Sequence, residues 1–349
     1  MTTSLNDRIA KLIRETGPIP VSVYMQLCLH DPRQGYYSQG EGLGRDFITA
    51  PEISQVFGEL IGLWCAHEWR SIGAPDPFRL VELGPGRGVL MADVLRATRA
   101  ISDFHDAADL TLVEASPALR RAQIDRLKPT ELTHINTIEA IPDGPILLIA
   151  NEFLDCLPVR QFIRDTEQWR ERVVGLSDAN ELVFGLSDTV PALDNTPDNA
   201  QQFEMRPSLV AIVDALAQRF ANHPGRALFI DYGPADAAPD DTLRAYRNGA
   251  QISPLETPGD ADLTSDVDFA DLKRIALAQG LEIHGPIAQG DFLLALGAAQ
   301  RAEALIRANP KEAEATADAV HRLVDSASMG VRFQAIAISS PNLPPPAGF

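Results

Sequence analysis

The feature that most constrains this sequence is a glycine-rich turn between an apolar segment and a helical one. Residues 81–88 read VELGPGRG, so that Gly84, Gly86 and Gly88 alternate after an apolar run. Glycine adopts backbone dihedrals that are costly for other residues, and it lets a chain approach a ligand without an intervening side chain. Such a turn between a buried strand and a helix is typical of nucleotide-type cofactor sites in α/β folds. A plain tight turn is the alternative interpretation.

The residues around the turn favour one kind of cofactor. A dinucleotide fingerprint would place its third glycine at Val89 and would not need Glu82. A carboxylate before the first glycine would repel phosphate oxygens, whereas it suits a ligand that carries positive charge. S-adenosylmethionine has both an amino group and a sulfonium. We therefore expect Glu82, Gly84 and Gly86 to lie nearest its amino acid end, with Gly88 in the same site.

Short apolar runs alternate with helical segments from residue 78 onward, which predicts an α/β fold with a mostly parallel sheet. The runs occupy Phe78–Leu83 and residues 110–113, 146–150 and 227–230.

The periodicity also predicts the domain organisation. Residues 1–75 form an N-terminal helical extension, and residues 76–339 form the main domain. Strand-like pieces at about 159–206 indicate a β insertion. The Pro-, Asp- and Gly-rich insertion at about 234–266 is long enough to predict a functional loop. The proline-rich residues 340–349 predict a loose tail.

Composition disfavours a nucleic-acid partner and a metal site. The formal net charge of −18 would repel phosphate backbones, which disfavours nucleic acid and favours a protein or a small molecule. The three cysteines are too far apart for a disulfide framework or a zinc cluster, and the histidines show no ligand spacing. We expect no metal site.

The N-terminus predicts where the protein resides. It begins with an amphipathic helix capped by Ser4, without the pattern of a signal or transit peptide. No apolar run approaches the length that spans a bilayer. We expect a cytoplasmic protein of bacterial type without membrane insertion, and the oligomeric state stays open.

A second acidic residue follows the next predicted strand. Glu114 can accept hydrogen bonds from both ribose hydroxyls, as the acidic residue of nucleoside-binding α/β folds does. Alternatively, Glu114 caps the helix that starts near Pro117.

Polar residues also follow the strand at 146–150. Ligands of open α/β sheets gather at the carboxyl ends of strands. Asn151, Glu152 and Asp155 are therefore expected to face the transferring methyl group, and Asp231 at the end of the following strand faces the same crevice.

Five stretches together resemble the MidA family of S-adenosylmethionine-dependent protein-arginine methyltransferases, known in mitochondria as an assembly factor of respiratory complex I. They are residues 47–59 (FITAPEISQVFGE), 81–88, 151–155 (NEFLD), 231–233 (DYG) and 261–269 (ADLTSDVDF). Ala50 stands where a serine is equally familiar. The resemblance implies a class I methyltransferase fold. For the mitochondrial members, it implies symmetric dimethylation of an arginine on the quinone-side subunit of complex I.

The carboxylates also suit an arginine acceptor. Its guanidinium stays protonated and is a poor nucleophile, and carboxylates can orient its planar fork and stabilise its charge. Glu152 and Asp155 would share a face if their segment forms a helical first turn, so we expect them to clamp the guanidinium. Asn151 is a third catalytic candidate. Alternatively, Asp155 caps or pairs with the following segment and Asn151 hydrogen-bonds the backbone.

Residues of the N-terminal part are further candidates. Pro51, Glu52 and Gln55 begin a helix and are expected to close over the cofactor, although proline and an acidic residue are ordinary in a first helical turn. Tyr36 and Tyr37 either line an acceptor channel or belong to the core.

The residues and the resemblance together predict a protein-arginine methyltransferase. The resemblance implies that it dimethylates a complex I subunit to support its assembly. One alternative is a non-catalytic assembly chaperone, which would have no use for Glu82, Glu114, Glu152 and Asp155 together. A methyltransferase with another protein or a small-molecule acceptor is a second alternative. A nicotinamide-dependent oxidoreductase is disfavoured by Glu82 and Val89.

Overall fold

The computed structural model describes residues 3–39, 48–189, 192–193, 196, 200–236 and 241–349. The chain forms two compact units, each built from several stretches. The first unit comprises residues 1–47, 155–210 and 238–266, and the second comprises residues 48–154, 211–237 and 267–349.

The strands, numbered in chain order, are β1 (Ile19–Pro20), β2 (Phe78–Leu83), β3 (Ala108–Val113), β4 (Thr133–Ile135), β5 (Ile146–Asn151), β6 (Arg160–Asp165), β7 (Gln168–Leu176), β8 (Leu182–Leu186), β9 (Gln202–Met205), β10 (Gly225–Tyr232), β11 (Arg244–Arg247), β12 (Ala250–Ile252), β13 (Asp262–Thr264), β14 (Glu282–Ala288) and β15 (Phe333–Ser339). The helices are α1 (Leu5–Thr16), α2 (Val21–His30), α3 (Tyr36–Gln39), α4 (Ala50–Ile53), α5 (Gln55–Ser71), α6 (Val89–Ala97), α7 (Ser102–Ala107), α8 (Pro117–Leu127), α9 (Pro207–Phe220), α10 (Phe269–Ala278), α11 (Gln289–Ala295), α12 (Ala298–Ala308), α13 (Ala313–Val324) and α14 (Met329–Arg332). Two short 3-10 turns add Ile138–Ala140 and Pro310–Glu312.

The second unit is built on a mostly parallel sheet, as predicted. Its strand order is β14-β15-β10-β5-β2-β3-β4. The strands from β10 to β4 pair in parallel, and β15 is antiparallel to both of its neighbours. Residues 146–150 are all buried, which explains why this strand reads as a continuous apolar run. Helix α5 packs closely on α6, since a Cβ on Gly62 would lie 2.9 Å from the Val94 Cα.

The first unit contains antiparallel strands within residues 160–205. Antiparallel strands run in the order β1-β7-β6-β9, with β8 beside β7. Helix α1, whose Ser4 side chain accepts a hydrogen bond from Asp7 N, contributes Ile9 to a core that includes Tyr24 and Val174.

The second insertion has more structure than the functional loop predicted for residues 234–266. Strands β11, β12 and β13 form a small antiparallel sheet within it. These strands span only three or four residues each, which is too short for the alternation of apolar and polar residues to reveal them.

The predicted boundary at residue 75 does not coincide with a boundary between the units. Helices α1 and α2 pack in the core of the first unit, whereas α5 packs in the core of the second. The chain therefore changes unit within the predicted helical extension.

The expectation of a loose tail at residues 340–349 is wrong. The Trp64 indole N–H donates a hydrogen bond to the Ala347 carbonyl at 3.1 Å. The ring of Phe349 lies 5.2 Å from the ring of Phe292, centroid to centroid. Proline-rich composition signalled irregular backbone, and the aromatic contacts that hold this backbone depend on the tertiary structure.

A buried ion pair links this C-terminal segment to the sheet. Arg226 of β10 pairs with Glu68 of α5, and both side chains are fully buried. The Arg226 guanidinium also donates to Ser339 Oγ at 2.9 Å and to the Pro344 carbonyl at 2.5 Å. Glu68 Oε1 accepts from Ala347 N at 2.9 Å. The hydrogen bonds of this ion pair therefore form only when β10, α5, β15 and the C-terminal segment are all in place.

Among the described residues, no helix has both the length and the apolar character required to cross a bilayer.

Glu68→Ala is expected to lower the free energy of unfolding by roughly 3–5 kcal/mol, because it leaves the buried Arg226 charge without its partner. Urea titration followed by circular dichroism measures the change. The matched control is Asp125→Ala, which removes an exposed pair with Lys128 and should leave the unfolding midpoint unchanged. Equal midpoints for the two variants would show that the buried pair has no such role.

Candidate active site

The glycine turn lies between β2 and α6. Gly84, Gly86 and Gly88 have φ angles of +60°, +51° and +75°, in the left-handed region that favours glycine. A Cβ on Gly84 would lie 2.8 Å from Cδ2 of Phe153, so this position has no room for a side chain. Gly84 N donates to the Val113 carbonyl at 3.1 Å, which ties the turn to the end of β3.

Glu82 on β2 is a buried carboxylate, with 3% of its surface exposed. Burial, reinforced by the charge of Glu114, raises its pKa to about 8. Its Oε2 atom is buried and has no hydrogen-bond partner among the described residues. A cationic group at this position would compensate the carboxylate, whereas a phosphate would be repelled.

Glu114, directly after β3, is held at both carboxylate oxygens. Its Oε1 accepts from Ser116 N at 2.7 Å, and its Oε2 accepts from the Gln123 side-chain amide at 3.3 Å. Burial raises the pKa of Glu114. The helix α8 is capped by Ser116, whose Oγ accepts from Leu119 N at 3.4 Å. The alternative in which Glu114 caps that helix is therefore wrong.

Gln123 contacts the glycine turn and Glu114, and it is not among the residues predicted from the sequence. It is fully buried on α8, and its amide also donates to the Gly86 carbonyl at 2.7 Å. One signal was available in the sequence. Gln123 lies four residues from both Leu119 and Leu127, which are buried, so it is a polar residue on the apolar face of its helix.

Glu152 lies just beyond β5 and binds the segment that begins α4. Its φ angle is +50°, and its backbone N–H donates to the Ile230 carbonyl at 2.9 Å. Its Oε1 accepts from Ala50 N at 3.0 Å and from the Asn151 side-chain amide at 3.2 Å. The Asn151 Oδ1 atom is buried and lacks a hydrogen-bond partner within the described residues.

The helix predicted around Pro51, Glu52 and Gln55 is divided in two. Ser54 is extended, with a φ angle of −152°, and it separates α4 from α5. Pro51 is buried in α4 and Gln55 is exposed at the start of α5. Glu52 forms an ion pair with Arg87 of the glycine turn, whose Nε lies 3.1 Å from Glu52 Oε1. The structure thus brings Glu52 to the turn, and a closing role of this segment stays a prediction.

Asp155 belongs to the first unit, and the helical turn expected to join it to Glu152 is absent. Residues 151–158 form a strand end followed by turns. The Asp231 carboxylate accepts from Leu154 N at 2.8 Å, which holds the backbone along β10 and prevents it from coiling. Asp155 Oδ2 instead accepts from Thr264 Oγ1 at 2.7 Å.

The tyrosine pair is mainly part of the core of the first unit. Tyr36 is buried with 3% exposure, and the Tyr37 hydroxyl donates to Asp262 Oδ1 at 3.0 Å. Burial and the Asp262 charge raise the pKa of Tyr37. A role in an acceptor channel stays a prediction. Residues 40–47, which include Phe47 of the quoted motif, lie outside the described residues.

The cysteines behave as packed residues. Cys28, Cys65 and Cys156 are all buried, and burial raises the pKa of the Cys28 thiol to about 12. In the part of the chain that the structure describes, no three His, Cys, Asp or Glu side chains are placed to hold a metal ion.

The fold and the site define a Rossmann-like methyltransferase: a mostly parallel sheet with one antiparallel strand near its edge, a glycine turn, and the buried Glu82 beside the half-buried Glu114, which suit a cationic nucleoside. A family of S-adenosyl-L-methionine-dependent methyltransferases matches residues 60–287 of this chain. The chain belongs to this family, it is an enzyme, and its cofactor is S-adenosylmethionine.

Two similar proteins match this chain over almost its whole length. Protein arginine methyltransferase NDUFAF7 of Danio rerio is 36% identical over 365 residues, which cover 95% of this chain and 86% of that protein. The NDUFAF7 of Homo sapiens is 35% identical over 359 residues, which cover 93% of this chain and 81% of that protein.

A similar solved structure supports both the fold and the cofactor of this chain. A COG1565 superfamily member from Burkholderia thailandensis, bound to S-adenosyl-homocysteine, is 26% identical with a TM-score of 0.82. The match covers 96% of this chain and 91% of that chain.

The predicted cytoplasmic location is contradicted by these relatives. NDUFAF7 of Danio rerio and of Homo sapiens is named as a mitochondrial protein. The prediction rested on the lack of a recognisable targeting pattern, which is weaker grounds than a positive feature.

Glu82→Gln is expected to stabilise the cofactor-free protein relative to the wild type, increasingly as the pH rises from about 5 to about 8. The carboxyl keeps its proton to a pKa of about 8 in the folded protein but releases it near 4.5 when unfolded. The folded state therefore holds more protons in this window, and wild-type stability falls as pH rises. The amide cannot titrate, so this loss disappears.

Thermal unfolding across this pH range tests the expectation, with the exposed Glu139→Gln as a control of equal charge change. Calorimetry should also show weaker binding of S-adenosylhomocysteine to Glu82→Gln, since the ligand ammonium loses a carboxylate. Parallel stability curves for wild type and Glu82→Gln would contradict the raised pKa of Glu82.

Proposed function

We propose that this methyltransferase transfers the methyl group to an arginine side chain of a protein, and that this protein is a subunit of respiratory complex I, whose assembly the dimethylation supports. The observation that carries the proposal is the series of carboxylates at adjacent strand ends, with Glu82 on β2, Glu114 after β3 and Glu152 after β5. The first two suit the cofactor, and the third suits a cationic acceptor.

The cofactor-binding residues divide between its two ends. S-adenosylmethionine supplies a methyl group on a positively charged sulfonium. Glu82 would accept from the ammonium group, and the backbone of Gly84, Gly86 and Gly88 would lie against the ligand without side chains between them. Glu114 would accept from the ribose hydroxyls.

Pro51 and Gln55 extend the cofactor site in this proposal. They lie in the segment whose first residue, Ala50, is bound by Glu152, and whose Glu52 pairs with the glycine turn. Two bonds from different parts of the site thus fix this segment, which would cover the cofactor.

The acceptor residues are Glu152, Asn151 and Asp155. A carboxylate can hold a guanidinium by charge-assisted hydrogen bonds and stabilise the charge on the nitrogens that do not react. Glu152 Oε1 accepts from both Ala50 N and the Asn151 amide, so this oxygen is anchored at the strand end. Asn151 Oδ1 offers a further acceptor at the same strand end. Asp155 is fixed by Thr264 and would supply a second carboxylate.

The relatives and the motifs support this class of acceptor. The relatives that match 93% and 95% of the chain are named protein arginine methyltransferases. The motifs at residues 47–59, 151–155 and 261–269 resemble the MidA family, and this resemblance supports a complex I subunit as the acceptor.

A comparison of cells with and without the gene tests the acceptor. Mass spectrometry of purified complex I should find a dimethylated arginine that disappears on deletion and returns with the wild-type gene. The Gly86→Val gene should not restore it, because the valine side chain would occupy the space of the cofactor. An unmodified complex I in wild-type cells, with methylated arginine on another protein, would assign a different acceptor.

Glu152→Gln is expected to lower methyl transfer by at least about a hundredfold while cofactor affinity stays near the wild-type value. The amide oxygen can still accept from Ala50 N, so the fold should persist and only the charge is lost. Single-turnover transfer of labelled methyl and calorimetry with S-adenosylhomocysteine measure the two quantities.

Two variants complete this comparison. Asp155→Asn should lower transfer in the same way but more mildly, because part of the role of this side chain is its structural bond with Thr264, which the asparagine oxygen can keep. Gly86→Val should abolish cofactor binding and transfer together. Transfer by Glu152→Gln at the wild-type rate would remove Glu152 from the mechanism, whereas loss of cofactor binding would assign it to the cofactor site.

A further inference from the structure

We propose that Gln123 is a positioning residue for the cofactor, which fixes the Glu114 carboxylate relative to the glycine turn and thereby makes the enzyme selective for a ribose. The inference rests on the proposed role of Glu114 at the ribose. It adds the residue that determines how Glu114 is oriented.

Gln123 connects the two ends of the cofactor site. Its Nε2 atom lies 2.7 Å from the Gly86 carbonyl oxygen and 3.3 Å from Glu114 Oε2. Its side-chain stem also packs on the turn, since a Cβ on Gly88 would lie 3.4 Å from Gln123 Cγ. One buried side chain therefore contacts both the turn and the carboxylate.

The hydrogen bonds allow only one orientation of the amide. The Gly86 and Glu114 oxygens are both acceptors, so the NH₂ group must face them and both of its hydrogens are used. The Gln123 Oε1 atom then faces His134 Nε2 at 2.7 Å, which must be the donor. Burial lowers the pKa of His134, which favours the neutral ring with its proton on Nε2. The buried amide is thus fully satisfied, and it cannot rotate without losing several bonds.

This arrangement prepares Glu114 for two further donors. A carboxylate has about four acceptor positions, and Ser116 N and Gln123 Nε2 take one on each oxygen. Each oxygen keeps capacity for another hydrogen bond, in a direction that the existing bonds define. Two adjacent ribose hydroxyls match such a carboxylate. Without Gln123, the Oε2 atom would lose its anchor and the carboxylate could rotate away from the ribose.

The experiment measures ribose selectivity in the full-length protein. Calorimetry gives the dissociation constants of S-adenosylhomocysteine and of its 2′-deoxyribose analogue. The wild type should prefer the ribose form by about tenfold, the scale of one hydrogen bond to a charged group. Gln123→Met keeps the side-chain length and removes the donors, so it should bind S-adenosylhomocysteine about tenfold more weakly and prefer the ribose form by less than about twofold.

Two further variants separate positioning from stability. Leu119→Ala removes a buried apolar side chain from the same helix, so it should lower the melting temperature while ribose selectivity stays at the wild-type value. His134→Phe acts from the partly exposed side of the network and should reduce selectivity in the same direction, which provides a readout if Gln123→Met does not fold.

The outcomes distinguish this inference from the proposed function. Wild-type selectivity in both Gln123→Met and His134→Phe would overturn the positioning role while leaving the cofactor site intact. A wild-type enzyme that binds S-adenosylhomocysteine without ribose selectivity would remove Glu114 from the ribose, and the positioning role with it. A wild-type enzyme that does not bind S-adenosylhomocysteine would overturn the proposed function itself.

Discussion

The parallel pairing of β2 with β3 and β5 is the constraint on which the site depends. Leu83 lies beside Val113 on one side and Ala150 on the other, so these three strands end within one residue of each other. The chain after each strand therefore begins at one edge of the sheet. Gly84 and Glu114 follow directly and meet there, as ligand-binding residues do in open α/β sheets. A shift in register would separate them.

Electrostatics at this edge explain why the site suits a cation. Glu82 is buried and Glu114 is half-buried, and burial together with the charge of Glu114 disfavours ionisation of Glu82. Two such carboxylates oppose folding unless a positive ligand or a proton compensates them. The fold tolerates this cost because the apolar sheet and its helices hold the strands in place. A ligand with a positively charged amino acid end gains most from that arrangement.

The strands of the parallel sheet could be predicted closely because each is buried on both faces and reads as an uninterrupted apolar run. β2 has the predicted bounds, and β5 extends one residue beyond the prediction. Strands such as β4 and β9 could not be predicted, since three or four residues carry too little periodicity. The division of α4 from α5 also escaped prediction, because local helix signals continue through Ser54 and a single extended residue interrupts them.

Sequence by itself determined the fold class, the glycine turn and the carboxylates that follow the strands, because these depend on local backbone freedom and on apolar patterning. The tertiary structure alone decided which side chains meet. Gln123 joins Gly86 to Glu114, Glu152 binds Ala50, and Asp155 binds Thr264, and none of these contacts is between neighbours in sequence. Hydrogen bonds between distant residues depend on how strands and helices pack, and a linear pattern does not contain that information.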